Sequence, residues 1–241
     1  MIATPRTLLT LAKSNTKLAK DLARVESAIL HLAPAKLAGR RNICTHATIE
    51  CILACLNTAG RGTMQGVQAA RIARTRLLFD DRETFLALLC ADIERLRARA
   101  LERDVLPVIR LNGTSDLLWE RMPVEDHPNI FDKYPDIMWY DYTKVPIRHR
   151  QVLPHNYHLS FSYTGHNDKD AAEAQSLGVN VVVVFDTPKD AQLPPTFKGR
   201  AVIDGDKTDL RYMDPADVVV GLRAKGPARQ AGNYPAFIQK G

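Results

Sequence analysis

The chain has 241 residues, of which 45% are hydrophobic and 25% charged, proportions of a folded globular protein that exclude a disordered or fibrous one. Lys and Arg outnumber Asp and Glu by 33 to 27, a formal charge of +6, which permits contact with nucleic acid or a phosphorylated substrate and establishes neither. No apolar run approaches the roughly 18–20 residues of a membrane helix, and the opening MIATPRTLLTLAKSNTK lacks the features of a secretory signal. The expected setting is therefore cytoplasmic, without a membrane partner. The length suits a single β/α domain over 1–241, with an N-terminal extension over 1–25 and a C-terminal tail over 225–241.

In chain order, SAILHL (27–32) predicts the first strand, and APAKLAGRR leads from it into NICTHATIECILACLNTAGRG. This stretch carries Cys44, Cys51 and Cys55. Three close thiols in a reducing compartment point to a metal rather than to disulfides. Cys51 and Cys55 stand at i and i+4, so a helix would project both from one face, with Cys44 supplied by the loop before it and Gly60 and Gly62 as stops. Three thiolates leave one coordination position open, as in a 4Fe–4S cluster with one free iron or a catalytic metal. His46 would instead complete a closed zinc site, and soft thiolates suit both metals. Three unrelated core thiols are the bland alternative, and the Thr, Asn and Gly content of the segment argues against it.

MQGVQAARIARTRLLF has helical spacing, and Asp81 opens a further helix whose stripe runs Phe85, Leu89, Ile93, Leu96, Ala100 to about Arg103. Cys90 lies beside that stripe and reads as core. Extended runs follow at 106–112, 137–143, 156–162, 180–186, 200–206 and 218–224, with a helix over 168–178. Unalternating runs such as VVVV indicate strands buried on both faces of a parallel sheet. The expected architecture is α/β: a complete or partial β/α barrel with the cysteine loop after its first strand, or else a doubly wound open sheet.

Nearly every extended run ends in polar residues. Active sites of β/α barrels form at the C-terminal ends of the strands, so Asn112, Asp116, Asp141, Lys144, Asp204, Asp206 and Lys207 are expected to line one mouth with the thiols. The carboxylates and lysines among them (Asp116, Asp141, Lys144, Asp204, Asp206, Lys207) are the candidate catalytic groups. Each has a plainer reading. Asp116 could cap a helix starting near Leu117, Gly113 and Gly205 could merely make turns, and His158 could be a satisfied core residue. The basic string Lys144, Arg148, His149, Arg150 reads as a solvated loop or a contact to a phosphate backbone.

The stretches AILHLAPA, NIC…C…CLNTAGRG, ARIARTRLLFDDRETFL, RLNGTSDLLWE, YDYTK, LPHNYHLSFS, VIDGDKTDLRYMDP and GLRAKG resemble the bacteriophage gene product 88 family from about Ser14 to about Arg229. That resemblance implies a phage or prophage origin and expression in the cytoplasm of an infected bacterium. A second resemblance, of architecture, is to the radical S-adenosylmethionine enzymes, although the spacing here is C-x6-C-x3-C, not C-x3-C-x2-C, and Ala54 replaces the usual aromatic residue. It implies a 4Fe–4S cluster whose free iron holds S-adenosylmethionine. By position it also implies cofactor contacts from Asn112 and Gly113 in the turn ending at Asp116, and from Ser160 or Ser162. The expected function is an iron–sulfur enzyme acting on a polar substrate of nucleotide or nucleic-acid type. The rival is a non-enzymatic protein, stabilised by a cluster or zinc, that binds nucleic acid or a host protein.

Overall fold

In the computed structural model, which describes residues 5–12, 18–150 and 153–241, ten strands join in one sheet. They are β1 (Leu9–Leu11), β2 (Val25–Leu30), β3 (Leu106–Arg110), β4 (Met138–Thr143), β5 (Tyr157–Ser162), β6 (Val181–Phe185), β7 (Thr196–Phe197), β8 (Arg200–Asp204), β9 (Val219–Arg223) and β10 (Ile238–Gln239). Their order is β1-β2-β3-β4-β5-β6-β9-β8-β7, with β10 added beside β6. Only the β1–β2 and β7–β8 pairs are antiparallel. The fold is thus α/β with a mostly parallel sheet. Its hydrogen bonding is open: among the described residues, no pairing joins the β1–β2 end to the β8–β7 end. Because β2 through β6, β9 and β8 run the same way, their C-terminal ends share one edge, and the polar strand ends lie along it.

Alternation along β2 explains why both faces are buried. Ala28 and Leu30 turn toward the helix layer, where they join Leu32, Ile109, Leu111 and Trp139 against Phe85, Leu89, Ile93 and Leu96. Those four are the predicted stripe of the helix Arg82–Glu102, and each buried side chain of this size contributes about 1.5–3 kcal/mol. Asp81 starts that helix as expected, accepting from Thr84 N–H at 3.0 Å. Glu26, also turned outward, is tied to Arg99 and Arg103 of the helix. Cys90 belongs to this core, and burial pushes its thiol up. On the other face, Val25, Val108 and Tyr140 meet Leu210 from the connection after β8.

The α-helices are α1 (Ile49–Leu53), α2 (Gln65–Asp80), α3 (Arg82–Glu102), α4 (Ile130–Lys133) and α5 (Asp168–Ser176). Not every crossover is an α-helix; among the described residues, β4 returns to β5 through one 3₁₀ turn, Ile147–His149. Within the expected extension 1–25, residues 1–4 and 13–17 lie outside the described residues, and β1 belongs to the sheet. The tail makes a 3₁₀ turn at Gly226–Arg229 and ends in β10, whose Ile238 pairs with Val184. Among the described residues, no helix is long and apolar enough to cross a membrane.

Candidate functional site

The cysteine segment connects β2 to α2 and is only partly helical. Thr48 starts α1 by accepting from Cys51 N–H at 3.1 Å, and α1 stops at Leu53. Cys55 therefore falls outside the helix, which corrects the expectation of two thiols on one helical face. It serves instead as the cap of the 3₁₀ turn Leu56–Thr58, its sulfur accepting from Asn57 N–H at 3.5 Å. Cys44, in the loop before α1, accepts from Ala35 N–H at 3.5 Å and reaches the Thr114 carbonyl at 3.8 Å.

The three thiols are nonetheless neighbours electrostatically. Cys55 acts on Cys44, and Cys51 acts on Cys55. Burial is the main influence on both titrations: it pushes Cys44 up to about 11 and raises Cys55. Lys144 points into the group. Burial disfavours its ammonium, but Cys51, Asp116 and Cys44 favour it, a hydrogen bond to Cys51 included, and the net shift is upward. The site therefore places a cation against sulfurs that a soft metal would deprotonate. His46 stands outside this arrangement, exposed, its Nδ1 3.0 Å from Thr45 Oγ1. Among the described residues, no group of three or more His, Cys, Asp and Glu side chains forms a ligating array.

Asp116 does not cap a helix, since the chain beyond it is irregular as far as the 3₁₀ turn Trp119–Arg121. Its carboxylate accepts from Thr143 Oγ1 at 2.8 Å and from Lys144 N–H at 2.7 Å, while its own N–H donates to the Ile43 carbonyl at 2.8 Å. One residue thus binds together the connections after β2, β3 and β4. Asn112 is 2% exposed, and its side chain serves both its own loop and β4: Oδ1 accepts from Ser115, Leu117 N–H and Trp119 Nε1, and Nδ2 donates to the Leu117 carbonyl and, at 3.4 Å, to Asp141 Oδ2. Gly113 is required by close approach, because a Cβ there would lie 2.7 Å from the Leu30 carbonyl oxygen and 2.5 Å from Ile29 Cγ2.

Asp141 is buried and accepts from Asn112 N–H at 2.7 Å and Tyr157 hydroxyl at 3.1 Å, with Arg110 Nε 3.7 Å away. Burial outweighs these partners and pushes its carboxyl up to about 7. The basic string is divided: Arg148 and His149 are exposed, as a solvated loop would be, whereas Lys144 is partly buried and Arg150 buried. Arg150 has 0% side-chain exposure and bonds both oxygens of Glu120 at 3.1 Å. Arg148 is taken by Asp170 and Glu173, at 2.6 and 2.5 Å.

Asp204 and Asp206 form a second, separate group. Arg223 bonds Asp204 at 2.9 Å and Lys225 bonds Asp206 at 2.7 Å; desolvation opposes it, but the Arg223 hydrogen bond leads the influences that hold Asp204 low. Lys207 is exposed, Ser160 buried and Ser162 partly buried. The thiols, Asp116 and Lys144 are thus brought together, with Asn112 and Asp141 next in line. Reading the sequence missed Arg110 and Glu120. Arg110 inside the run LPVIRLN was the available signal: a charge at an inward position of a buried strand requires partners. Asp209 supplies one at 3.9 Å and also accepts from Tyr140 hydroxyl at 2.8 Å.

A family model described as gene product 88 matches residues 9–238. No curated protein and no solved structure matches the chain.

Proposed function

The chain belongs to the gene product 88 family, and on that footing we propose that it is a phage-encoded iron–sulfur protein whose cluster is held by Cys44, Cys51 and Cys55. The observation that carries the reading is the mutual coupling of the three sulfurs with Lys144 at the C-terminal edge of a parallel sheet. The donor set suits a cluster by its chemistry, with three soft ligands, two of them already accepting a backbone N–H, the kind of contact that tunes cluster potential; the sulfurs would have to draw together to ligate it, since among the described residues they do not form a ligating array. Lys144 would offset the negative charge of a thiolate-ligated cluster, and Asp116 would hold Lys144 in place through its backbone N–H.

A 4Fe–4S cluster with three protein thiolates supplies one iron open to a cofactor or substrate. In this proposal the sheet serves as a partial β/α barrel, the cofactor to test is S-adenosylmethionine, and the setting is the cytoplasm of the infected bacterium. Protein purified without oxygen should be brown and contain iron. Each of Cys44→Ala, Cys51→Ala and Cys55→Ala should lose most of it, while Cys90→Ala keeps it. Absence of both iron and zinc from the anaerobic protein overturns the reading. An electron paramagnetic resonance signal of the reduced protein that S-adenosylmethionine leaves unchanged removes the radical-enzyme part alone.

One observation favours the non-enzymatic alternative. Ile49, Leu53, Leu56 and Met64 are 77%, 58%, 54% and 57% exposed around the thiols, an apolar skin suited to a protein partner. Stoichiometric zinc in place of iron would favour that reading.

A further inference from the structure

Beside the thiols lies a group of guanidinium ions that the proposed centre does not use. Arg71 and Arg74 stand one turn apart on α2. Arg71 is 8% exposed; its Nη1 donates to Asn57 Oδ1 at 2.5 Å, and its Nε is buried without a hydrogen-bond partner. Arg74 is partly buried, with Nε donating to the Thr7 carbonyl at 3.3 Å. Among the described residues, neither forms an ion pair with a carboxylate. The carboxylate that acts on Arg74, Asp92, is itself engaged by Arg95 and by the N–H groups of Leu8 and Leu9. A buried guanidinium such as Arg71, whose Nη1 bonds only a neutral amide oxygen, is unfavourable until a counter-charge arrives.

A third guanidinium, Arg110 of β3, also has Nε without a hydrogen bond, although Asp141 and Asp209 stand 3.7 and 3.9 Å from it. His31 follows β2 by one residue, and β2 sets Ile29 beside Arg110 in the sheet; all three guanidinium groups act on His31, while Asp209 opposes them. Burial first, then Arg71, Arg110 and Arg74, push its imidazole down to about 3, so it is neutral and offers both a donor and an acceptor.

We propose that Arg71, Arg74 and Arg110 around His31 form a binding site for the terminal phosphate of a small molecule. Two guanidinium charges without carboxylate partners match a dianion better than a monoanionic carboxylate, and planar guanidinium forks suit phosphate oxygens. The location agrees, since ligands of parallel α/β sheets bind at the carboxyl edge of the strands. Asn57, which accepts from Arg71, donates its own N–H to the Cys55 sulfur, which sets the phosphate next to the thiols. That the phosphorylated compound is transformed there rests on the iron–sulfur reading; that phosphate binds does not.

The test is calorimetric titration of the full chain at constant ionic strength with inorganic phosphate, acetate, a nucleoside monophosphate and the corresponding nucleoside. Phosphate and the monophosphate should bind, and acetate and the nucleoside should not. Arg71→Gln and Arg74→Gln should each weaken phosphate binding about tenfold or more, as loss of a charge-assisted contact implies. Parent protein that contains neither iron nor zinc yet binds phosphate would overturn the metal reading and leave this proposal standing. Phosphate that binds no better than acetate, or as well to Arg74→Gln as to the parent, overturns it. Should Arg71→Gln fail to fold, the partly exposed Arg74 position decides the matter.

Discussion

Asp141 and Glu120 are both carboxylates beneath the sheet edge, yet their surroundings give them different consequences. The Asp141 carboxyl titrates at about 7 in the folded protein because burial outweighs Arg110, Asn112 N–H and Tyr157, against about 3.9 in an unfolded chain. Between those values the folded state holds a proton that the unfolded state lacks. Its contribution to stability is therefore full below about pH 4 and is lost as pH rises through 7, with a slope of up to about 1.4 kcal/mol per unit. Denaturant unfolding across pH 4–8 should show that slope in the parent and a flatter profile in Asp141→Asn; identical profiles would refute the assignment. Glu120 instead faces Arg150, which has no exposed side-chain surface. Glu120→Ala should cost up to about 3–5 kcal/mol, because it leaves the buried guanidinium only Asp116, at 3.5 Å, as a carboxylate partner. Removing Asp80 from its pair with Arg40, whose side chains are 49% and 39% exposed, should cost far less, because solvent screens an exposed pair. Composition cannot distinguish such cases. The string from Lys144 to Arg150 looked solvated because its counter-charges, Glu120, Asp116, Asp170 and Glu173, come from other parts of the chain.

Elements with a long internal pattern were legible in advance. The stripe from Phe85 to Ala100 and the run VVVV each carry enough periodicity to declare α3 and β6 without help. β1, β7 and β10 carry none, being two or three residues held by their neighbours, so no local signal announced them. The cysteine helix misled for a related reason: the i, i+4 spacing was helical, but the helix ends at Leu53 and Cys55 is drawn into a cap on Asn57 N–H. Past that turn the segment meets the tail. Gly226 has φ of +57°, and a Cβ on it would lie 2.6 Å from Ala59 Cβ. Gly226→Ala should therefore both strain the backbone and push the tail from the cysteine loop, costing about 1–3 kcal/mol. Iron retained per chain should fall along with the unfolding midpoint; a destabilised variant with full iron content would separate the tail from the centre.

At the scale of the molecule, the parallel class was readable from unalternating strands, whereas the order β6-β9-β8-β7 was not, because it depends on pairings between distant segments. The layer of α3 against β2, β3 and β4 contains most of the large buried side chains, including Trp119, Trp139 and Phe85. The edge that carries the thiols is made of loops and short turns. Hydrogen exchange should reflect this division: amides of α3 and β3 slowest, those of 33–64 and 226–239 fastest, with metal loading slowing only the latter set. Equal slowing of α3 would mean that the centre stabilises the whole fold instead.

The carboxylate of Glu50 accepts from the N–H groups of Ala236 and Phe237, a bond spanning 187 residues of chain in the second case. During synthesis the ribosome delivers the thiol segment long before the strand that settles against it. The cysteines must therefore wait, reduced and uncovered, while nearly the whole remaining polypeptide is translated. If the proposed centre is loaded by a cellular donor, its opening lies in that interval, and arrival of the last strand would close it.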